Sequence, residues 1–256
     1  MFDSVCRFLV ETFSDDFASW LLGEPITLTE LSPSELSLEP IRADALILRQ
    51  SEQLVVHIEF QTEPKPDIPF RMLDYRTRVY RRFPNKRMYQ AVVYLQQTGS
   101  PLVYQTTFEM ENTRHQFQVI RIWEQPLESF LRSPGLLPFA ALSQVNDRAQ
   151  VLRQVAAQVD NLTDRTAQSN ITASAAILAA LVLDRTLIKR ILRRDLMQES
   201  AIYQDILSEG EQAKAQRIAL NLLREGMTIE AIARVTELSV EQIHQLQIAQ
   251  TQSDVK

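Results

Sequence analysis

Only five of the 256 residues are glycine, and they are dispersed. A phosphate-cradling loop or a dinucleotide-binding turn needs several close together, so that backbone N–H groups can approach the anion. None can be assembled here, and there is no Gly-x-Ser-x-Gly elbow to carry a nucleophile. Kinases, P-loop ATPases, Rossmann dehydrogenases and α/β-hydrolases drop out as leading readings. Cysteine is almost absent too: Cys6 stands alone, so neither an intrachain disulfide nor a cysteine zinc site can form. The three histidines, His57, His115 and His244, have no ligand spacing. Positive charge is not in excess: the net charge is −5, so contact with nucleic acid would need a local basic surface. Long apolar runs are missing. The most apolar stretch, Ile171 to Leu183, is too short to span a bilayer and carries Thr172 and Ser174. The N-terminus has Asp3 near its start and does not read as a signal peptide. The expectation is a soluble, cytoplasmic protein with no membrane partner.

What is present is an ordinary globular composition, 45% apolar and 23% charged, in a chain long enough for one or two domains. Asp3 to Leu22 has apolar residues at helical spacing, with Gly23 as a stop. A short strand is expected near Leu36 to Leu38, in a proline-bearing loop. Ile41 to Arg49 and Leu54 to Gln61 read as strands joined by the turn Gln50-Ser51-Glu52-Gln53. A helix follows over Phe70 to Phe83, then a strand over Gln90 to Gln96. Val103 to Met110 and Gln116 to Trp123 read as a hairpin turning near Asn112. From Leu127 the pattern is helical: Arg148 to Val159, Ile171 to Leu192, Tyr203 to Arg224, Ile229 to Thr236 and Val240 to Ile248.

The first hairpin carries the chemistry. Fourteen residues separate Asp44 from Glu59-Phe60-Gln61. Alternation puts Asp44, Leu46 and Leu48 on one face of their strand, and Val55, His57, Glu59 and Gln61 on one face of the next. If the hairpin folds about Ser51 and Glu52, Asp44 stands opposite Glu59. Two ionised carboxylates at that spacing repel, and a divalent cation with hard oxygen ligands, Mg²⁺ or Mn²⁺, resolves the conflict. Such an ion lowers the pKa of bound water and neutralises phosphate charge, and Gln61 can orient that water. On the opposing reading these acids are ordinary polar residues of a half-exposed hairpin. His57 is expected to be packed or hydrogen-bonded rather than a ligand.

The densest positive patch is Arg71 to Arg87, with Arg71, Arg76, Arg78, Arg81, Arg82, Lys86 and Arg87 against Asp74. On a helix, Met72, Tyr75, Val79 and Phe83 form an apolar stripe, while Arg71, Arg78 and Arg82 share another face. That face either holds a phosphate backbone or is simply solvated. The same choice applies to Arg185, Lys189, Arg190, Arg193 and Arg194, where a solvated face is favoured. Near the C-terminus, Gly226 ends a helix, Ser239 and Gln242 form a capping box, and Leu238 can staple onto Ile243. This pattern resembles a helix-turn-helix. Its second helix has no Lys or Arg over Val240 to Ala249, which favours packing or association over DNA reading.

Asp44 and Glu59-Phe60-Gln61, in a helix–strands–helix–strand order, resemble the PD-(D/E)XK nuclease core. Arg42-Ala43-Asp44, His57-Ile58-Glu59-Phe60-Gln61 and Phe70-Arg71-Met72-Leu73-Asp74-Tyr75 more closely resemble the Rpn family of recombination-promoting nucleases and transposases, its cyanobacterial members nearest in style. The resemblance implies an α/β mixed-sheet, restriction-endonuclease-like core over residues 1–125. A helical extension over 126–225 and a helix-turn-helix-like module over 226–256 would follow. It also implies a Mg²⁺-dependent DNA endonuclease linked to recombination or mobile elements. Asp44 and Glu59 would be metal ligands and, with Gln61, catalytic. Gln61 would stand where many superfamily members have lysine. Arg71 and Tyr75 would reach the site and, with Arg78 and Arg82, contact DNA. Glu11 is the candidate for an additional acid from the first helix, although surface exposure fits it better. Two other readings stay open: a DNA-binding protein on a nuclease-derived fold, or a partner-binding protein. A homodimer through the helical C-terminal region is compatible with either a nuclease or a binding role.

Overall fold

The computed structural model describes residues 2–24, 26–31 and 46–253, the side chains of residue 46 and residues 249–253 excepted. Asp44, the strand expected near Leu36 to Leu38 and the first half of the strand expected over Ile41 to Arg49 lie outside the described residues. The chain divides into two compact units, Met1–Ile202 and Tyr203–Lys256. It comprises a mixed α/β N-terminal region followed by a largely helical extension. No described helix is long and apolar enough to cross a membrane.

Five strands of the first unit form one sheet: β1 (Thr29–Glu30), β2 (Leu46–Gln50), β3 (Leu54–Gln61), β4 (Arg87–Tyr94) and β7 (Gln118–Arg121), in that spatial order. β1–β2 and β2–β3 are antiparallel, while β3–β4 and β4–β7 are parallel. A parallel neighbour requires a crossover, and helix α3 (Ile68–Arg82) makes it between β3 and β4. Pro69 sits in its first turn, where a missing N–H costs nothing, and Pro84 follows its end. Ile68, Met72, Tyr75 and Val79 recur at helical spacing and are its buried stripe.

β3 is buried at every one of its eight positions. Its Val55-His57-Glu59-Gln61 face lies under α3: Val55 clusters with Tyr75 and Val79, and the His57 and Tyr75 rings are 4.9 Å apart. On the opposite face Phe60 meets Phe17 of α2 (Ser14–Leu22) and stacks on Phe139, with ring centroids 5.8 Å apart. Phe139 belongs to a nine-residue 3₁₀ segment, Pro134–Leu142, buried from Gly135 onward. Pro138, inside it, has no N–H to give to a regular α-helical ladder.

The structure corrects the register of the first hairpin. Ser51 N donates to Leu54 O, so the tip is Glu52-Gln53, one residue beyond the expected centre. That moves every pairing by two: Leu46, not Asp44, stands opposite Glu59, and Leu48 opposite His57. A shift of two preserves strand parity, so the face assignments hold for Leu48 and for Val55, His57, Glu59 and Gln61. The second expected hairpin is also different. β5 (Thr107–Met110) and β6 (Thr113–Gln116) form their own two-stranded sheet. β7 instead pairs with Ala91 to Tyr94 of β4, giving that buried strand partners on both edges.

Two long helices expected from periodicity are each interrupted. The first becomes α1 (Phe2–Thr12) and α2, broken at Phe13, whose φ/ψ of −122°/43° is not helical. Ile171 to Leu192 becomes parts of α6 (Arg165–Ala179) and α7 (Arg185–Ile191), because the Asp184 carboxylate accepts from Thr186 N and starts a new helix. The short α4 (Glu128–Leu131) precedes the 3₁₀ segment, α5 (Arg148–Asp160), close to its expected span, lies between that segment and α6, and α8 (Arg194–Glu199) follows α7.

In the second unit the stop at Gly226, the Ser239/Gln242 capping box and the Leu238–Ile243 contact expected from sequence are present, and the last helix runs beyond its expected end at Ile248. Gly226 adopts φ 80° beyond α9 (Ala201–Arg224), and Thr228 caps α10 (Ile229–Thr236). Ser239 N donates to Gln242 Oε1 at 2.9 Å and Gln242 N to Ser239 Oγ at 3.2 Å, the reciprocal capping box that starts α11 (Val240–Ser253). Leu238 and Ile243 join Ala219 and Ile232 in one apolar cluster.

Candidate active site

The site lies within the first unit, under α3 and towards the carboxyl end of the parallel strand β3. Glu59 is fully buried. A buried carboxylate needs compensation, and Arg71, one turn into α3, supplies it: its guanidinium is 2.5 Å from Glu59 Oε1. Gln61 Nε2 donates to the same oxygen at 3.1 Å, two residues along the same strand face. Glu59 Oε2 has no hydrogen-bond partner among the described residues. Burial outweighs Arg71 and raises the Glu59 pKa from 4.5 to about 7. Burial of Tyr94 itself, then the Glu59 charge, pushes its hydroxyl up to about 12.

His57 is also fully buried, and its pKa falls from 6.5 to about 3 through burial, then the charge of Arg71 and of His115. Its Nε2 lies 4.0 Å from Glu59 Oε2. A neutral ring at that distance does not form an ion pair. Behind it, Gln90 of β4, paired in register with His57, places Nε2 3.0 Å from His57 Nδ1 and donates from Nε2 to Met72 O at 2.8 Å. His115 Nε2 reaches Gln90 Oε1 at 2.8 Å. Burial, then Arg76, lowers the His115 pKa.

The residues singled out from sequence are therefore distributed as follows. Glu59, Gln61 and Arg71 converge. Asp44 lies outside the described residues. Tyr75 is a core residue, 5% exposed, whose hydroxyl pKa is raised by burial and which bonds to Arg71. Arg78 Nε binds both oxygens of Asp74, at 3.0 and 2.9 Å. Arg82 is exposed, its guanidinium carbon 5.9 Å from the Phe83 ring centroid. Glu11 is exposed at the surface. His57 is hydrogen-bonded and packed, as expected of it.

Sequence reasoning missed Gln90 and His115. The available signal was a polar residue opening the apolar run Gln90-Ala91-Val92-Val93-Tyr94. Only the parallel register places it beside His57.

Among the described residues no group of three or more His, Cys, Asp or Glu side chains gathers to hold a metal. The available donor is Glu59 Oε2, a hard carboxylate oxygen. Mg²⁺ commonly takes one or two carboxylates and keeps water and phosphate oxygens for the rest, so the chemistry of this oxygen suits such an ion.

Residues 212–248 match the family model of the C-terminal HTH domain of the Rpn/YhgA-like nuclease family. The match covers the end of α9, α10 and most of α11, and does not extend to the sheet. No curated protein and no solved structure matches the chain. The comparisons therefore relate this chain, through its last helices, to a domain carried by a nuclease family.

Proposed function

We propose that the protein is a metal-dependent DNA endonuclease that hydrolyses phosphodiester bonds, with the sheet and α3 forming a PD-(D/E)XK-like core. The observation that carries this reading is the buried Glu59, with one oxygen held by Arg71 and Gln61 and the other without a partner among the described residues. The helix-turn-helix match over 212–248 supports it from the other end of the chain. Glu59 and Asp44 would hold Mg²⁺ or Mn²⁺, which when bound supplies an acidified water and neutralises phosphate charge. Gln61, already bonded to Glu59, fixes the carboxylate and is within reach of a water or phosphate oxygen. Arg71 keeps the charge of the buried site near balance and, 24% exposed, presents a guanidinium edge to a phosphate. DNA is the partner, and a C₂ dimer through the helical C-terminal region would bring two sites to the two strands.

The test is nicking of supercoiled plasmid with Mg²⁺ or Mn²⁺. Wild type should relax it, and Glu59→Ala and Asp44→Ala should each reduce the rate by at least ~100-fold, on the order expected for loss of a metal-held nucleophile. Undiminished cleavage by both variants removes these residues from the mechanism.

A second reading is a DNA-binding protein on this fold that does not cleave. It is favoured by one observation: Arg71 already neutralises Glu59, and Gln61 brings no positive charge of its own. It predicts salt-sensitive association with DNA and no metal-dependent products.

A further inference from the structure

Gln90 is oriented by an unambiguous partner. The Met72 backbone carbonyl can only accept, so the Gln90 atom 2.8 Å from it is the NH₂ group. The same NH₂ stands 3.0 Å from His57 Nδ1, which must then be the lone-pair nitrogen of the ring. The amide oxygen of Gln90, turned the other way, accepts from His115 Nε2 at 2.8 Å. Each step fixes the next, and the proton of the neutral His57 ring is left on Nε2. That N–H lies 4.0 Å from Glu59 Oε2, and neither atom has a hydrogen-bond partner among the described residues. A direct bond needs about 2.7–3.2 Å. At 4.0 Å the N–H therefore acts on the carboxylate oxygen as a nearby dipole rather than through a bond. Donor and acceptor are complementary, and the ring cannot serve as a metal ligand while Nε2 carries its proton.

We propose that His57 is a positioning residue for Glu59: Gln90, anchored on Met72 O, locks the ring in the Nε2–H form and so sets an N–H, rather than a bare nitrogen, beside Glu59 Oε2. The oxygen of Glu59 that Arg71 and Gln61 do not hold is thereby given a direction, as second-layer donors give ligating carboxylates theirs. This rests on the nuclease reading only for the purpose the alignment serves.

The direct measurement is the ¹⁵N spectrum of the histidine side chains in the metal-free protein, with three histidines to assign. His57 should show the Nε2–H tautomer at pH 7. Gln90→Glu, close in shape, can no longer donate to Met72 O or to Nδ1. It should move the His57 signals to the Nδ1–H or doubly protonated pattern. An Nδ1–H signal in wild type, or an unchanged His57 spectrum in Gln90→Glu, overturns the proposal. For the consequence at Glu59, Mn²⁺ affinity by titration calorimetry and plasmid nicking are compared in His57→Phe and His57→Gln. The phenylalanine variant should lose roughly 10–100-fold in affinity or kcat. The glutamine variant, whose amide can donate from the place of Nε2, should recover most of it with KM for DNA unchanged. Equal losses in both variants also overturn it. The tautomer is read without metal or DNA, so a wild type that neither binds Mn²⁺ nor nicks DNA fails the nuclease reading alone, and the spectrum still decides the role of His57.

Discussion

At Glu59 burial and charge pairing act against each other, and burial is the stronger. The folded carboxyl titrates near 7 against an ordinary 4.5, so between those values the folded state binds more protons than the unfolded chain. Its contribution to stability therefore falls as pH rises through that window, by roughly 3 kcal/mol at about 1.4 kcal/mol per unit. His57 runs the other way. Its pKa drops to about 3 from 6.5, so the unfolded chain binds more protons, and stability rises with pH from 3 to 6.5. Where the windows overlap, the two slopes nearly cancel. Glu59→Gln should unmask the histidine slope. Urea unfolding should show stability climbing by about 1.4 kcal/mol per pH unit from 4.5 to 6.5 and then levelling. At pH 8 the variant should be more stable than wild type. A level profile across that range would show that His57 is not held neutral against protonation.

Among the elements, the 3₁₀ segment Pro134–Leu142 and α2 meet closely enough for one missing Cβ to matter. Gly135 N donates to Asp16 Oδ2 at 2.8 Å. A Cβ on Gly135 would run into the Cβ and Cγ of Phe13 and come within 2.9 Å of Asp16 Oδ2. Phe13 is the residue at which α1 gives way to α2, so neither helix can yield freely. Gly135→Ala should destabilise the first unit by about 1–3 kcal/mol, the usual result of overfilling a packed site. The readout is the urea midpoint, and a midpoint equal to that of wild type would mean that the α1–α2 break accommodates the methyl. The same segment carries Phe139 onto Phe60, so the apolar face of the strand that bears Glu59 is fixed by a 3₁₀ stretch rather than an α-helix.

For the molecule as a whole, the two compact units have cores of very different size. The second unit rests on one cluster, Ala219, Ile232, Leu238 and Ile243, with Leu222, Leu223 and Leu246 around it. Ile243 is fully buried, and its truncation to alanine should cost about 2–5 kcal/mol. That is most of what so small a core supplies. Hydrogen exchange of Ile243→Ala should show protection lost across α10 and α11 while β3 and β4 keep theirs. Protection unchanged in α10 and α11 would mean that this cluster does not hold the unit together. If the helix-turn-helix match carries function, this variant also tests whether DNA association needs the folded C-terminal unit.

Much of the fold was legible wherever the cause is local. The apolar stripe of α3, the cap at Ser239, the stop at Gly226 and the alternation along β3 all follow from residues within a turn or two of one another. The pairing of Glu59 with Gln61 on one strand face follows from parity alone. Periodicity overran the breaks at Phe13 and before Asp184, because a backbone kink and a capping carboxylate interrupt a helix without disturbing its apolar rhythm. The register of the first hairpin turned on a single hydrogen bond, Ser51 N to Leu54 O, and moved Leu46 to the place opposite Glu59. The sequence by itself determined that an acid and an amide share one face of a strand that an arginine-rich helix follows in the chain. Only the tertiary structure decided which arginine meets the acid, and that Gln90 and His115 stand behind His57. Those contacts join residues 12 to 33 apart in the chain, and distance in space at such separations is set by strand pairing and helix packing rather than by local preference.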